Sequence, residues 1–239
     1  MQSISLSEMD DVSLMSRIDT KFYFHQRLLP NILMSIEKDY DILEIKGNRL
    51  MPYESQYYDT DNHQMLLWHQ NGKLNRFKIR KRTYVLTKES FLEVKFKSNK
   101  GITDKLRIRR KGNEEDENSF VEELTPFSLP DLNLVIENSF NRIMLVSKNK
   151  KERVSIDLDL SFKNGNEIHK LPKLVLLEIK SERHLGTTEL QRSLKFLHIY
   201  PSGFSKFITG MYLFNNHLKF NRFKRRFLQL NRTLEREIL

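Results

Sequence analysis

At 239 residues the chain can form one large domain or two small ones, and 38% apolar with 10% aromatic residues supply a core that a disordered chain would lack. Its formal charge, 41 basic against 31 acidic side chains, is +10, which favours anionic partners: nucleic acid, phosphates or a lipid surface. With no cysteine, disulfides, zinc–thiolate centres and thiol catalysis are excluded. The opening MQSISLSEMDDVS is acidic and polar, unlike a secretory signal, and no apolar run approaches the roughly 18 residues of a membrane span. A soluble, cytoplasmic protein is the expectation, with peripheral attachment at the inner face of the membrane as the alternative.

The chain opens with a short helix expected over 8–15, capped by Ser7. Residues 17–24 alternate as a strand, with Arg17, Asp19, Lys21 and Tyr23 on one side. Helical spacing follows over 28–38, with Pro30 in the first turn, where proline is tolerated. Residues 41–46 and 50–59 read as a hairpin about Gly47-Asn48, and 61–70 as a helix stopped by Asn71-Gly72. Next comes NRFKIRKRTY, residues 75–84: as a strand it stacks Arg76, Lys78, Arg80 and Arg82 on one face and Phe77 and Ile79 on the other.

The same parity recurs. Glu93, Lys95 and Lys97 oppose Leu92, Val94 and Phe96, and Lys105, Arg107 and Arg109 oppose Leu106 and Ile108. An acidic loop and short helix are expected over 114–123, and a strand carrying Arg142 over 135–146. Arg153, Ser155, Asp157 and Asp159 oppose Val154, Ile156, Leu158 and Leu160; after a turn at Asn164-Gly165, Glu178 and Lys180 oppose Val175, Leu177 and Ile179. Helices are expected over 188–198 and 205–215. Charged faces of this kind suit either a sandwich whose charges meet water or a closed barrel whose charges line a passage under outer helices. Arg and Lys outnumber carboxylates on these faces, and such a lining suits phosphate oxygens. The barrel is therefore the preferred fold, in an α+β class.

No Walker loop, dinucleotide fingerprint or HExxH is present, and the seven His show no metal-ligand spacing. The segments YYDT (57–60), NRFKIRKRTY, LEVKFKSNKGITDK (92–105), SFNR (139–142), RVSIDLDLSF (153–162), LLEIK (176–180) and SGFSKFITGMY (202–212) occur in order. Together they resemble the VTC domain, the polyphosphate polymerase domain of the triphosphate tunnel metalloenzymes, related to the CYTH group of cyclases and thiamine triphosphatases. The resemblance spans residues 17–211 and implies an antiparallel closed β-barrel around a basic tunnel.

Carried over, the resemblance implies that Lys21, Arg80, Arg82, Lys95 and Arg142 hold a phosphate chain, with Lys105, Arg107 and Lys180 as further cations. Glu178 resembles the carboxylate for a divalent metal, Mn²⁺ or Mg²⁺, and Lys206 the lysine beside the reacting phosphate; Glu93 is a partner for tunnel cations or a second metal contact. Arg80, Arg82, Glu178 and Lys206 are thus the expected catalytic set, and Asp157 and Asp159 are expected to be structural partners of the cations. The ExExK signature of CYTH relatives is reduced to Arg17-x-Asp19-x-Lys21 and Leu176-x-Glu178-x-Lys180, which points to a more basic site with fewer metal ligands.

The implied activity transfers the γ-phosphate of ATP to a growing polyphosphate chain. A triphosphatase or polyphosphate hydrolase of the same fold, and a non-catalytic module binding polyphosphate or RNA, are the alternatives. ATP and polyphosphate are the expected partners, without specific nucleic-acid recognition, and an integral membrane partner is expected by analogy with VTC-like proteins. Residues 1–216 form the tunnel domain in this reading. Residues 217–239 carry seven Lys/Arg against two Glu, with Phe220, Phe223, Phe227, Leu230, Leu234 and Ile238 at three-and-four spacing. That is a basic amphipathic helix, docked on the barrel or facing a membrane or membrane partner.

Overall fold

Alternating apolar and charged residues build the fold strand by strand. The computed structural model describes residues 1–10, 17–100, 102–182, 186–215 and 220–235. Strands β1 (Ser3–Ile4), β2 (Arg17–His25), β3 (Tyr40–Leu43), β4 (Met51–Asp59), β5 (Arg76–Tyr84), β6 (Glu89–Lys97), β7 (Thr103–Arg109), β8 (Asn133–Ser147), β9 (Glu152–Asn164), β10 (Glu167–Leu171) and β11 (Leu174–Glu182) form one sheet. Helices are α1 (Leu6–Asp10), α2 (Leu29–Ser35), α3 (Gln64–Gln70), α4 (Glu114–Leu124), α5 (Glu189–Phe196), α6 (Lys206–Phe214) and α7 (Asn221–Leu234). The main strand order is β2-β11-β9-β8-β4-β5-β6-β7, antiparallel at every step.

The outer face is apolar. Around Phe22, Phe24, Ile156, Val175 and Ile179 it is covered by Ile32 of α2 and by Leu190 and Leu194 of α5. Around Ile79, Leu92 and Val94 it is covered by Met65 of α3 and Val121 of α4. Each such aliphatic contributes about 1.5–3 kcal/mol through removal from water. Helix α5 begins at a capping box between Thr188 and Gln191, and α4 at an Asn113 cap with Glu114, Glu115, Asp116 and Glu117 in the first turn, where the helix dipole favours anions.

Several expectations are corrected. The hairpin about Gly47-Asn48 reduces to a single bridge between Ile45 and Asn48; β3 pairs in parallel with β1 and antiparallel with β8, so its partners lie far off in sequence. The N-terminal helix is capped by Ser5, whose hydroxyl accepts from the Glu8 N–H at 3.3 Å, and not by Ser7; residues 11–16 lie outside those described. Strand β10, a hairpin partner of β9, was not anticipated. In β9 the alternation breaks at Asp159, whose φ of 53° accompanies a register shift against β8. The shift leaves Asp159 exposed, accepting from Asn141 Nδ2 at 3.0 Å, and turns Leu160 and Phe162 to the face opposite Leu158.

The α+β antiparallel sheet with packed helices holds, but strand pairing does not close it, and α6 and α7 pack on its inner face. Among the described residues, β2 and β7 end the strand order and do not pair. The sheet nevertheless curls until Lys21 and Tyr23 of β2 line one cavity with Lys95 and Lys97 of β6 and Thr103 of β7. Ile208 and Thr209 of α6, with Phe223 and Phe227 of α7, stand in the same cavity wall. Helix α6 lies against the inner face, where Phe207, Ile208 and Met211 join Tyr57, Ile136, Phe140 and Phe162 in one core. At Gly210 a Cβ would stand 2.6 Å from Ile136 Cγ2 and 3.0 Å from Phe162 Cδ1, so the helix approaches the strands through the missing side chain. Gly210→Ala is expected to destabilise the fold by about 1–3 kcal/mol through overpacking. Denaturant unfolding would read this as a lower midpoint, and an unchanged midpoint would contradict the packing.

Candidate phosphate-binding site

The inner face carries two kinds of cation: those balanced by buried carboxylates and those that are not. Strand β5 pairs with β6 so that Arg80 sits opposite Glu93, and β7 places Arg107 on the other side of Glu93. Arg80 Nε donates to Glu93 Oε2 at 2.7 Å, its Nη2 donates to the same oxygen, and Lys105 Nζ donates to Oε1 at 3.2 Å. Burial opposes ionisation of Glu93, but Arg80, Arg82 and Lys105 outweigh it and hold the carboxyl well below its usual range. Tyr57 accepts from Arg80 Nη1 at 3.3 Å while its ring meets Phe207, so this tyrosine orients a cation as well as packing.

A second balanced centre joins β8, β9 and α6. Arg142 grips Asp157 with a two-pronged fork, Nε to Oδ1 at 2.6 Å and Nη2 to Oδ2 at 2.9 Å. Lys206 donates to the same carboxylate and lies 4.2 Å from the Phe140 ring centroid. The Ser205 hydroxyl caps α6 and so aims Lys206 inward. Burial disfavours the charge on Asp157; Arg142 and Lys206 overcome this and keep it ionised. Asp157 is thus a partner of cations, whereas the exposed Asp159 does not share its role.

Glu178 of β11 lies opposite Lys21 of β2 and Ser155 of β9. It accepts from Lys180 Nζ, which also reaches Asp19 at 2.9 Å. Burial opposes its charge, but Lys180, Lys21 and Arg142 bring its pKa down to about 2. Among the described residues no group of three or more His, Asp or Glu gathers to cage a metal. The donor set fits a hard divalent ion of another kind: Mg²⁺ takes one or two protein carboxylates and completes its shell with water and substrate phosphates. An ionised Glu178 beside inward cations offers that single carboxylate.

Among the described residues, Arg82, Lys95 and Lys78 make no direct ion pair with a carboxylate. Arg82 Nε donates to Ser55 at 3.2 Å, and burial, with Arg80 and Arg142 nearby, lowers its pKa to about 10. Lys95 is held well below the normal lysine range by burial and by Arg80 and Arg82. Lys78 donates to Ser205 Oγ at 3.1 Å; burial, then Lys21, Arg76, Arg80 and Lys97, depress it to about 7. Lys78 and Lys95 open onto a cavity of about 410 Å³ lined, among the described residues, by the six cations Lys21, Arg76, Lys78, Lys95, Lys97 and Arg226 and by no carboxylate. His69 shares that wall, its pKa lowered to about 2 by burial and by Lys78 and Arg76, and it is therefore neutral.

The inner face thus brings together Arg80, Arg82, Lys95, Lys105, Arg142 and Lys206, while Lys21 joins Glu178 to the cavity. Arg107 stays exposed, donating to Tyr84 at 3.2 Å and lying over Phe91. Sequence reasoning grouped Arg76 and Lys78 on one face with Arg80 and Arg82, and both line the cavity. It passed over Lys97, although Lys97 shares parity with Lys95, and it had no local signal for Arg226, whose position depends on how α7 docks.

The depressed lysine has a pH consequence. An anion beside Lys78 raises its pKa toward the free value, so binding takes up protons above pH 7 and weakens as pH rises from about 7 to 10. Titrating tripolyphosphate at pH 8 in buffers of different ionisation enthalpy should show net proton uptake, reduced in Lys78→Met. Buffer-independent heats would contradict it.

No curated protein matches the sequence significantly. Solved structures with a similar chain trace include a Vibrio parahaemolyticus protein described as a candidate adenylate cyclase (9% identity, covering 80% of this chain and 96% of that one, TM-score 0.46). A Hippeastrum protein described as a candidate adenylyl cyclase with a dominant triphosphatase activity gives 13% identity, 81% and 94% coverage and a TM-score of 0.47. A Pyrococcus horikoshii protein gives 11% identity, 84% and 99% coverage and a TM-score of 0.47. The VTC domain family model matches residues 16–215, so the chain belongs to the VTC domain family.

Proposed function

We propose that the protein is a polyphosphate polymerase that transfers the γ-phosphate of ATP to the end of a polyphosphate chain held on its inner face. The observation that carries this reading is the cavity lined, among the described residues, by six cations and no carboxylate, next to centres whose charges are already balanced. A site for one triphosphate has no need of so large an uncompensated extension; a growing polyanion has.

In this reaction a terminal oxygen of the chain bonds to the γ-phosphorus, the bond from that phosphorus to the β–γ bridging oxygen breaks, and ADP leaves. The acceptor is itself a phosphate, so no protein nucleophile is required, and positioning and electrostatics carry the catalysis. Arg82, unpaired with any carboxylate among the described residues, and Lys95 neutralise non-bridging oxygens. Arg142 and Lys206, anchored by Asp157, present fixed cations where charge develops on the transferred group. Glu178 would hold the divalent ion, which supplies charge neutralisation on the phosphate oxygens when bound.

Incubation with ATP and Mn²⁺ tests the reading: chains with ADP support it, phosphate with ADP and no chains indicates a hydrolase, and no turnover leaves a binding module. Glu178→Ala is expected to lower ATP turnover by at least about 100-fold while polyphosphate binding persists. Undiminished turnover in that variant would sink the role given to Glu178.

A further inference from the structure

We infer that the C-terminal helix α7 completes a chain-holding subsite and that Arg226 is its distal phosphate contact. This deepens the polymerase reading and rests on it. The family match ends at residue 215, whereas α7 spans Asn221–Leu234, so this contact is supplied by a segment beyond the matched region.

The helix is seated in one rotation. Phe223, Phe227, Leu230 and Leu234 are buried in the inner core. Two arginines four residues apart, hence on one helix face, lie over glycines. The Arg222 guanidinium occupies the place where a Cβ on Gly72 would be, Nη1 standing 1.8 Å from that position. The Arg226 guanidinium lies over Gly203, with Nη1 3.2 Å from its would-be Cβ. The Arg226 guanidinium also sits 5.6 Å from the Phe223 ring centroid. This seating puts Arg226 in the wall of the carboxylate-free cavity with Lys21, Arg76, Lys78, Lys95 and Lys97.

Like charges gathered in one cavity repel one another, and among the described residues no carboxylate stands in its wall, although Glu178 lies opposite Lys21 and Glu93 acts on Lys95 from outside it. The matching ligand is a linear polyanion with a charge on every unit, and inorganic polyphosphate has that chemistry. Arg226, exposed and presented from a helix, adds its charge to that cavity from outside the sheet.

The test uses the full chain and two probes, tripolyphosphate and long-chain inorganic polyphosphate, titrated calorimetrically at low salt into wild type, Arg226→Ala and Arg226→Lys. The affinity for long chains relative to tripolyphosphate is expected to fall about fivefold in Arg226→Ala and to be largely restored in Arg226→Lys. That result supports the subsite even if the ATP assay yields no chains, in which case the polymerase reading fails alone. The inference is overturned if both probes weaken equally, if tripolyphosphate weakens more than long polyphosphate, if Arg226→Lys behaves as Arg226→Ala, or if no affinity changes.

Discussion

Two buried carboxylates, Glu93 and Asp157, hold the inner face together. Strand alternation forces basic side chains from neighbouring strands onto one side of the sheet, and like charges there repel. Glu93 answers Arg80 and Lys105, and Asp157 answers Arg142 and Lys206. Losing either acid would strand desolvated cations, a penalty of about 3–5 kcal/mol for a broken buried pair. Both acids are nearly or wholly inaccessible, so their attraction is little screened by water.

The cations left over carry the functional consequence. Lys78, Lys95 and Arg82 all have depressed pKa values because burial and mutual repulsion disfavour their charged forms. For Lys78 the folded value of about 7 lies below that of the unfolded chain, so between these values the unfolded state binds the extra proton. The penalty from this group is therefore full below pH 7 and is relieved as pH rises from about 7 toward the unfolded value. A bound polyanion removes this difference by restoring the charge. The same repulsion that costs stability in the empty protein is released on binding, which couples fold and ligand through one set of side chains.

Helix α6 links packing to chemistry. Its apolar side packs onto β8 and β9, with Gly210 permitting contact with Ile136, while its first residue, Lys206, reaches Asp157. Position along the helix separates the two tasks. Helix α7 repeats the arrangement at the other side of the cavity, with Phe223 and Phe227 for packing and Arg226 for charge.

Much of this was legible in the chain itself, because a strand's side-chain period is two and needs only local sequence. The faces carrying Arg80, Arg82, Lys95, Arg142 and Glu178 follow from that period, as does the apolar face under α2, α4 and α5. Tertiary structure decided what pairs with what. Arg80 and Arg82 are equivalent in the sequence, yet β6 brings Glu93 to Arg80, and β4 brings uncharged Ser55 to Arg82. A left-handed residue at Asp159 reversed the facing of Leu160 and Phe162, and β3 bypassed its neighbour to pair with β8. Whether a cation is balanced or waiting for a ligand depends on how the sheet curls and where α6 and α7 dock, since these set the distances between charges remote in sequence. Local alternation determined which residues face inward; only long-range packing determined which of them lack a counter-charge.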